Sequence, residues 1–254
     1  MATTNVLITG AKSGIGKGIL TAYASQPNTV VIAAIRDDPT SAKAEDLVSS
    51  VTNIGKGSKV IVVPYDAAAQ TDTSNVVQHL RSHHPDITHL DVVIANAAVS
   101  DYWGPCHSIK KNDLATHLAV NTIAPILLYI ATRDLLLAAP EERTPKFFFV
   151  SSIIGSITVA PTLPLQMPVM GLCKAADNFF AAKANQEEDR LVVVPVHPGW
   201  VQTKMGNAAA EGVGMGEAPM TIERSIELLM GIFDTVGKDQ GGKFLQVEGD
   251  VVPW

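Results

Sequence analysis

Cys106 and Cys173 are the only two cysteines in the chain. They are too few and too far apart for a disulfide framework or a cysteine-rich metal site, so a reducing compartment suffices and a cytoplasmic protein is expected. Basic residues are also short: 19 Lys and Arg stand against 25 Asp and Glu, a formal net charge of −6. Nucleic acid or an anionic membrane surface would need a basic patch, so neither is expected as a partner. A small molecule is the expected ligand. No apolar stretch reads as long enough to span a bilayer. The residues ahead of Val6-Leu7-Ile8 leave no room for a charged leader, apolar segment and cleavage site. Internal repeats and low-complexity linkers are lacking too.

What remains is a chain of 254 residues, 46% hydrophobic and 17% charged, enough to bury a full core in one α/β domain. Short β-rich runs at 5–9, 29–35, 59–63, 90–95, 146–151 and 191–196 alternate with amphipathic or Ala-rich segments. That alternation predicts a parallel sheet covered by helices. The runs are continuously apolar, as in VVIAAI and FFFV, which suits strands buried on both faces. Segment 113–139 is apolar around most of its circumference and therefore lies deep or packs on a second copy, so a homo-oligomer, dimer or tetramer, is expected. Residues 199–220 are rich in Gly and Ala with little periodicity, which suits a mobile lid or, alternatively, a disordered surface loop.

The first strand runs into Gly10-Ala11-Lys12-Ser13-Gly14-Ile15-Gly16 and then a helical pattern. Strand, glycine turn and helix in that order let backbone approach a pyrophosphate, whose charge the helix N-terminus favours. At the end of the second strand, Arg36 precedes Asp37 and Asp38. An arginine there accommodates a ribose 2′-phosphate and an acid there would hold a free 2′-OH, so NADP(H) is the expected cofactor and NAD the alternative. Lys12 adds charge near the same phosphate. Asp66, after the third strand, is a candidate acceptor for the adenine amino group, or else a turn or cap aspartate.

Five motifs in order make the chain resemble the short-chain dehydrogenase/reductase family across nearly its whole length. TGAKSGIG is similar to the family's TGxxxGxG, and Asn96-Ala97-Ala98 to its NAG with Ala98 in place of glycine. Asn121 in AVNTIAP matches its helix asparagine, Ser152 in VSSIIG its catalytic serine, and Pro198-Gly199 through Val201 and Thr203 its PG segment. HPGWVQTKMG is worded most like the fungal ketoreductase branch. The resemblance implies one Rossmann domain over 1–254, a doubly wound parallel sheet of about seven strands with helices on both faces, and 199–220 as substrate lid. It also implies that Thr203 binds the nicotinamide carboxamide and Lys174 the nicotinamide ribose.

The family's tyrosine stands four residues before its lysine, on one helix face. Here that position is Met170, in Met170-Gly171-Leu172-Cys173-Lys174, and the nearest preceding tyrosine, Tyr129, belongs to another helix. Methionine has no proton to give the alkoxide formed when a ketone is reduced, help that is typically worth ~10²–10⁴ in rate. Hydride addition to an iminium carbon yields a neutral amine and needs no such donor. Fungal indole-alkaloid reductases that lost this tyrosine are similar, and that likeness implies a bifunctional iminium reductase and Diels–Alderase working by proximity. Asp101, Tyr102, Trp103 and His107 follow the fourth strand at its carboxyl end and, with Met170, are the expected substrate pocket. The alternatives are a ketoreductase in which Tyr102 or His107 replaces the acid, a non-redox cyclase or isomerase with the cofactor as scaffold, and a non-catalytic cofactor sensor. His79, His83, His84 and His89 lack the companions for a metal shell, so no metal is expected.

Overall fold

The computed structural model describes residues 3–69 and 72–254. Seven strands alternate with helices: β1 (Thr4–Thr9), α1 (Gly14–Ser25), β2 (Thr29–Ile35), α2 (Ala42–Ser49), β3 (Lys59–Pro64), α3 (Asp72–His83) and β4 (Val92–Ala95) make the first half. The second half is α4 (Lys111–Leu118), α5 (Ala124–Leu137), β5 (Lys146–Val150), α6 (Pro168–Glu187), β6 (Val192–His197), α7 (Lys204–Gly212), α8 (Ile222–Thr235) and β7 (Leu245–Gln246). All neighbours pair in parallel, in the order β3-β2-β1-β4-β5-β6-β7. The order reverses between β1 and β4, and the crevice at their carboxyl ends is where such sheets take ligands.

Apolar strands bury both faces, and alternate side chains feed two cores. Val6, Ile8, Val31, Phe148 and Val194 pack with Ile19, Leu20, Leu229 and Phe233 of α1 and α8. Leu7, Ile32, Val93, Phe147 and Phe149 pack oppositely, with Val76 and Leu80 of α3 and Leu128 of α5. A third, smaller cluster lies apart: Ile154, Met167, Met170 and Ala209, with Ile153, Leu163, Leu165, Trp200 and Met205 packed against it.

Four sequence expectations need correction. The fourth strand begins at Val92 rather than residue 90; just before it, the Asp91 carboxylate rather than a backbone carbonyl accepts from the Asn5 amide and from Arg143. β7 is too short for a periodic signal and stood in no expected run. Residues 113–139 are not one regular helix: between α4 and α5 the chain makes a π-turn, Ala119–Ile123, in which the Ala124 N–H reaches back five residues to Ala119 O. Pro125, at the start of α5, has no N–H for the usual bond to residue 121, which favours the wider turn. The whole helical stretch Lys111–Leu137 is, by length and composition, long and apolar enough to cross a membrane, with an 18-residue window of mean hydropathy 1.6. The sequence reading missed it because charged residues stand near both ends. In the fold this stretch packs against α3, β4 and α6.

Candidate active site

The glycine turn leaves β1 and is pinned by Asn96, whose Nδ2 donates to Thr9 O at 3.0 Å, while the Asn96 and Ala97 amides both donate to the Thr9 hydroxyl. At Gly16 a side chain has no room, since a Cβ would collide with Gly10 O and Asn96 Nδ2. Ser13 precedes α1 without a side-chain capping bond, so its hydroxyl leaves the first-turn amides of α1 free for an incoming anion. Thr203 lies against this turn, its Cγ2 3.2 Å from where a Gly14 Cβ would stand. Its hydroxyl takes the Gly206 amide and caps α7. Ile15 packs on the α1 core, Val201 is buried in a bridge to Met220, and Pro198 O accepts from the Ser225 hydroxyl. The strand ends thus bring together Gly10, Gly14, Gly16, Asn96, Ala97 and the 198–203 segment.

At the end of β2, Lys12 pairs with Asp37 at 2.6 Å and Lys43 approaches the other oxygen at 3.7 Å. The Lys12 hydrogen bond holds the Asp37 carboxyl below its usual range. Asp38 is occupied by Thr40. Both acids that could compete for a free ribose hydroxyl are therefore engaged, while Arg36 is exposed and makes no ion pair among the described residues. One Asp66 carboxylate oxygen accepts from Ala68 N at 3.0 Å, a turn role.

Asn121 sits in the π-turn, fully buried. Its amide bonds Val99 twice at 2.8 Å and donates to Met170 Sδ at 3.5 Å. Met170 is buried on α6 within the third apolar cluster. Lys174, one turn further along, is buried and bonds Asp177 at 3.0 Å. Ser152 is half-buried and its hydroxyl has no hydrogen bond among the described residues, unlike Ser151, which donates to Asn178. Asn121, Met170 and Lys174 therefore share one wall, and Ser152 opens the 3₁₀ turn Ile153–Gly155 packed on α6.

The loop after β4 joins that wall at its rim, where the Gly104 amide donates to Gln166 O at 3.0 Å. Tyr102 gives its phenolic proton to Pro105 O at 2.7 Å, and burial raises its pKa first. Trp103 donates to Ser100 O, and Asp101 and His107 are exposed. Among the described residues no hydrogen bond joins Tyr102, Asp101 or His107 to Ser152, Met170 or Lys174. Sequence reasoning missed His117, whose Nε2 accepts from the Asp101 amide and whose Nδ1 faces Asp113 O, fixing a neutral tautomer. It also missed Asp177. Helical spacing, i+4 from Asp113 and i+3 from Lys174, was the available signal.

Residues 199–220, read as lid or loose loop, contain α7. The ends are tied by Gln202 N to Met220 O and by Ala218 N to Asn207 Oδ1. Trp200 Nε1 bonds Gly206 O. On α3, His79 and His83 stack at 4.2 Å. Among the described residues no three His, Cys, Asp or Glu side chains are grouped to hold a metal.

Residues 4–214 match the family model for short chain dehydrogenases. The chain belongs to this family. Among relatives of this short-chain dehydrogenase is norsolorinic acid ketoreductase of Dothistroma septosporum, 35% identical over 99% of this chain and 92% of the relative. A short-chain dehydrogenase of Neurospora crassa is 36% identical over 99% and 98%. The NADPH-bound carbonyl reductase of chicken fatty liver superimposes over the full length of both chains with a TM-score of 0.84 at 25% identity. The fungal wording of HPGWVQTKMG thus agrees with the fungal relatives.

Proposed function

We propose that this short-chain dehydrogenase is an NADP(H)-dependent reductase of fungal-type secondary metabolism whose substrate carries a C=N or iminium group. The observation that carries the proposal is Met170: at the family's tyrosine position a buried thioether takes a hydrogen from Asn121 and has none to give. The glycine turn fits a dinucleotide, because Gly16 leaves no volume for a side chain and the α1 amides lack a side-chain cap. Gly10, Ser13, Gly14, Ile15 and Gly16 would hold the pyrophosphate, Arg36 with Lys12 the 2′-phosphate, and Asp66 the adenine. Asn96, Ala97, Pro198, Gly199, Val201 and Thr203 would line the nicotinamide side, with Lys174 on its ribose. When bound, NADPH supplies the hydride.

Asn121 holds the Val99 backbone, and so the loop carrying Asp101, Tyr102 and Trp103, against α6. Ser152 offers its free hydroxyl to the reacting group. The apolar cluster around Met170, Trp200 and Met205 excludes water and favours a bulky apolar substrate. Closure of 199–220 over it would complete the wall. Such a wall would also hold diene and dienophile in a reactive pose, so we extend the reading to an intramolecular [4+2] cycloaddition after reduction. A ketone would be reduced poorly, since Met170 has no proton to give and the Tyr102 hydroxyl points its hydrogen at Pro105 O.

Exposed Ile123 and Ile130 near and on α5, with Leu172 and Phe179 on α6, support a homo-oligomer. Both cysteines are free, which fits the cytoplasm. The test is 4-deuterated NADPH with a cyclic iminium: label in the product supports the reductase, and product forming equally well with NADP⁺ would replace it with a non-redox cyclase.

A further inference from the structure

We propose that Asp177 is a positioning residue whose buried carboxylate holds the Lys174 ammonium charged and in place, a counter-charge supplied from within α6 where the family's tyrosine is missing. Lys174 and Asp177 lie at i and i+3 on α6, 3.0 Å apart, with side chains 7% and 0% exposed. Met170, one turn before Lys174 on the same face, offers the ammonium no oxygen. A buried ammonium without a partner tends to give up its proton, because burial penalises the charged form.

Among the described residues Asp177 Oδ1 is buried with no hydrogen-bond partner, while the other oxygen is given to Lys174. A carboxylate left this way is costly and serves no packing purpose that an apolar residue would not serve better. Burial outweighs the lysine's attraction and pushes Asp177 up to about 6, so above that pH the pair is ionic. Of the elements packed against α6, namely α4, α5, β5, β6 and the turns at 119–123 and 153–155, none sends a charged group onto Asp177 among the described residues. Cys173 on the same helix is the one further titratable neighbour, its thiol pushed up by burial. The 153–155 turn seals the pair, since a Cβ on Gly155 would stand 2.7 Å from Lys174 Cβ.

The inference rests on Lys174 as a ligand of the cofactor ribose, and the test separates the two. NADPH affinity is titrated by fluorescence between pH 6.5 and 9 in the wild type, Asp177→Asn, Asp177→Leu, Asp177→Glu and Lys174→Met. Wild type and Asp177→Glu should be flat with pH. Asp177→Asn should bind about tenfold more weakly at pH 9 than at 6.5, as the unpartnered lysine loses its proton and with it a charged hydrogen bond. Asp177→Leu, which leaves no amide unsatisfied, should do the same and stands in if the Asn variant does not fold. Lys174→Met should be weak and flat. A flat profile in both uncharged variants, beside a weakened Lys174→Met, would overturn the role of Asp177 alone. Wild-type affinity in Lys174→Met would overturn the ribose reading and this inference with it.

Discussion

Met170 places a soft, polarizable sulfur where an acidic phenol would be, and the neighbours accept it: Asn121 turns an amide hydrogen towards Sδ, and Ile154 and Met167 close around it. Arg36 is the other residue on which the reading turns. Its side chain is exposed while Lys12 and Lys43 engage Asp37, so Arg36→Glu should weaken NADPH binding about tenfold to a hundredfold and leave NADH nearly unchanged, measured by fluorescence titration. A third residue gives a pH signature. Burial pushes His197 down to about 4 from 6.5, so the unfolded chain binds the extra proton between those values and stability contributed by neutral His197 is lost as pH falls through that window. Asp177, raised to about 6, opposes this between its ordinary 3.8 and about 6, where the folded form holds the proton. His197→Gln should therefore gain stability over the wild type as pH falls from 6.5 to 4, by on the order of 5 °C in thermal melts. The tyrosine's loss and Arg36 were legible as letters in a motif. The state of Asp37 was not, because the pairing with Lys12 spans two strand ends and needs the fold.

Elements that carry their own period were legible and those set by tertiary contact were not. β1, β2 and β3 fall within a residue of the expected runs because continuous apolar letters mark strands buried on both faces. The π-turn at 119–123 breaks no hydrophobic pattern, and only Pro125 hints at it. α7 escaped because it is only nine residues long and its buried face is made of Ala209 and Ala210, too small to mark a core stripe; the Thr203 cap and the ties at Gln202 and Asn207 fix it. On α6 the residues Leu172 and Phe179, seven apart and so on one helix face, are exposed, as is Ile130 of α5, and Phe179 is 73% exposed. If the proposed homo-oligomer uses this face, Phe179→Glu should shift its mass to a smaller species in light scattering while leaving the thermal midpoint of the monomer fold intact. An unchanged mass would place the interface elsewhere.

At the scale of the whole molecule, the reversal of strand order between β1 and β4 gathers the glycine turn, Asn96 and the 198–203 segment at one crevice, while α6 and the π-turn bring Met170, Lys174 and Asn121 to its side. Five motifs spread along the sequence were enough to foresee that convergence, since the parallel topology sends every strand's carboxyl end to the same edge. The satellite cluster of Met167, Met170, Met205 and Trp200 was not foreseeable, because it joins three segments that share no periodicity. The fold thus gathers the motif residues at one sheet edge beside an apolar cluster that holds Met170 and no phenol among its described members. The most direct test is single-turnover oxidation of bound NADPH with matched ketone and cyclic iminium panels, run on the wild type and on Met170→Tyr. Fast oxidation with iminium substrates alone, and ketone turnover gained on restoring the tyrosine by about a hundredfold or more, is the expected result. Equal ketone and iminium rates in the wild type would contradict it, and would mean that another group delivers the proton.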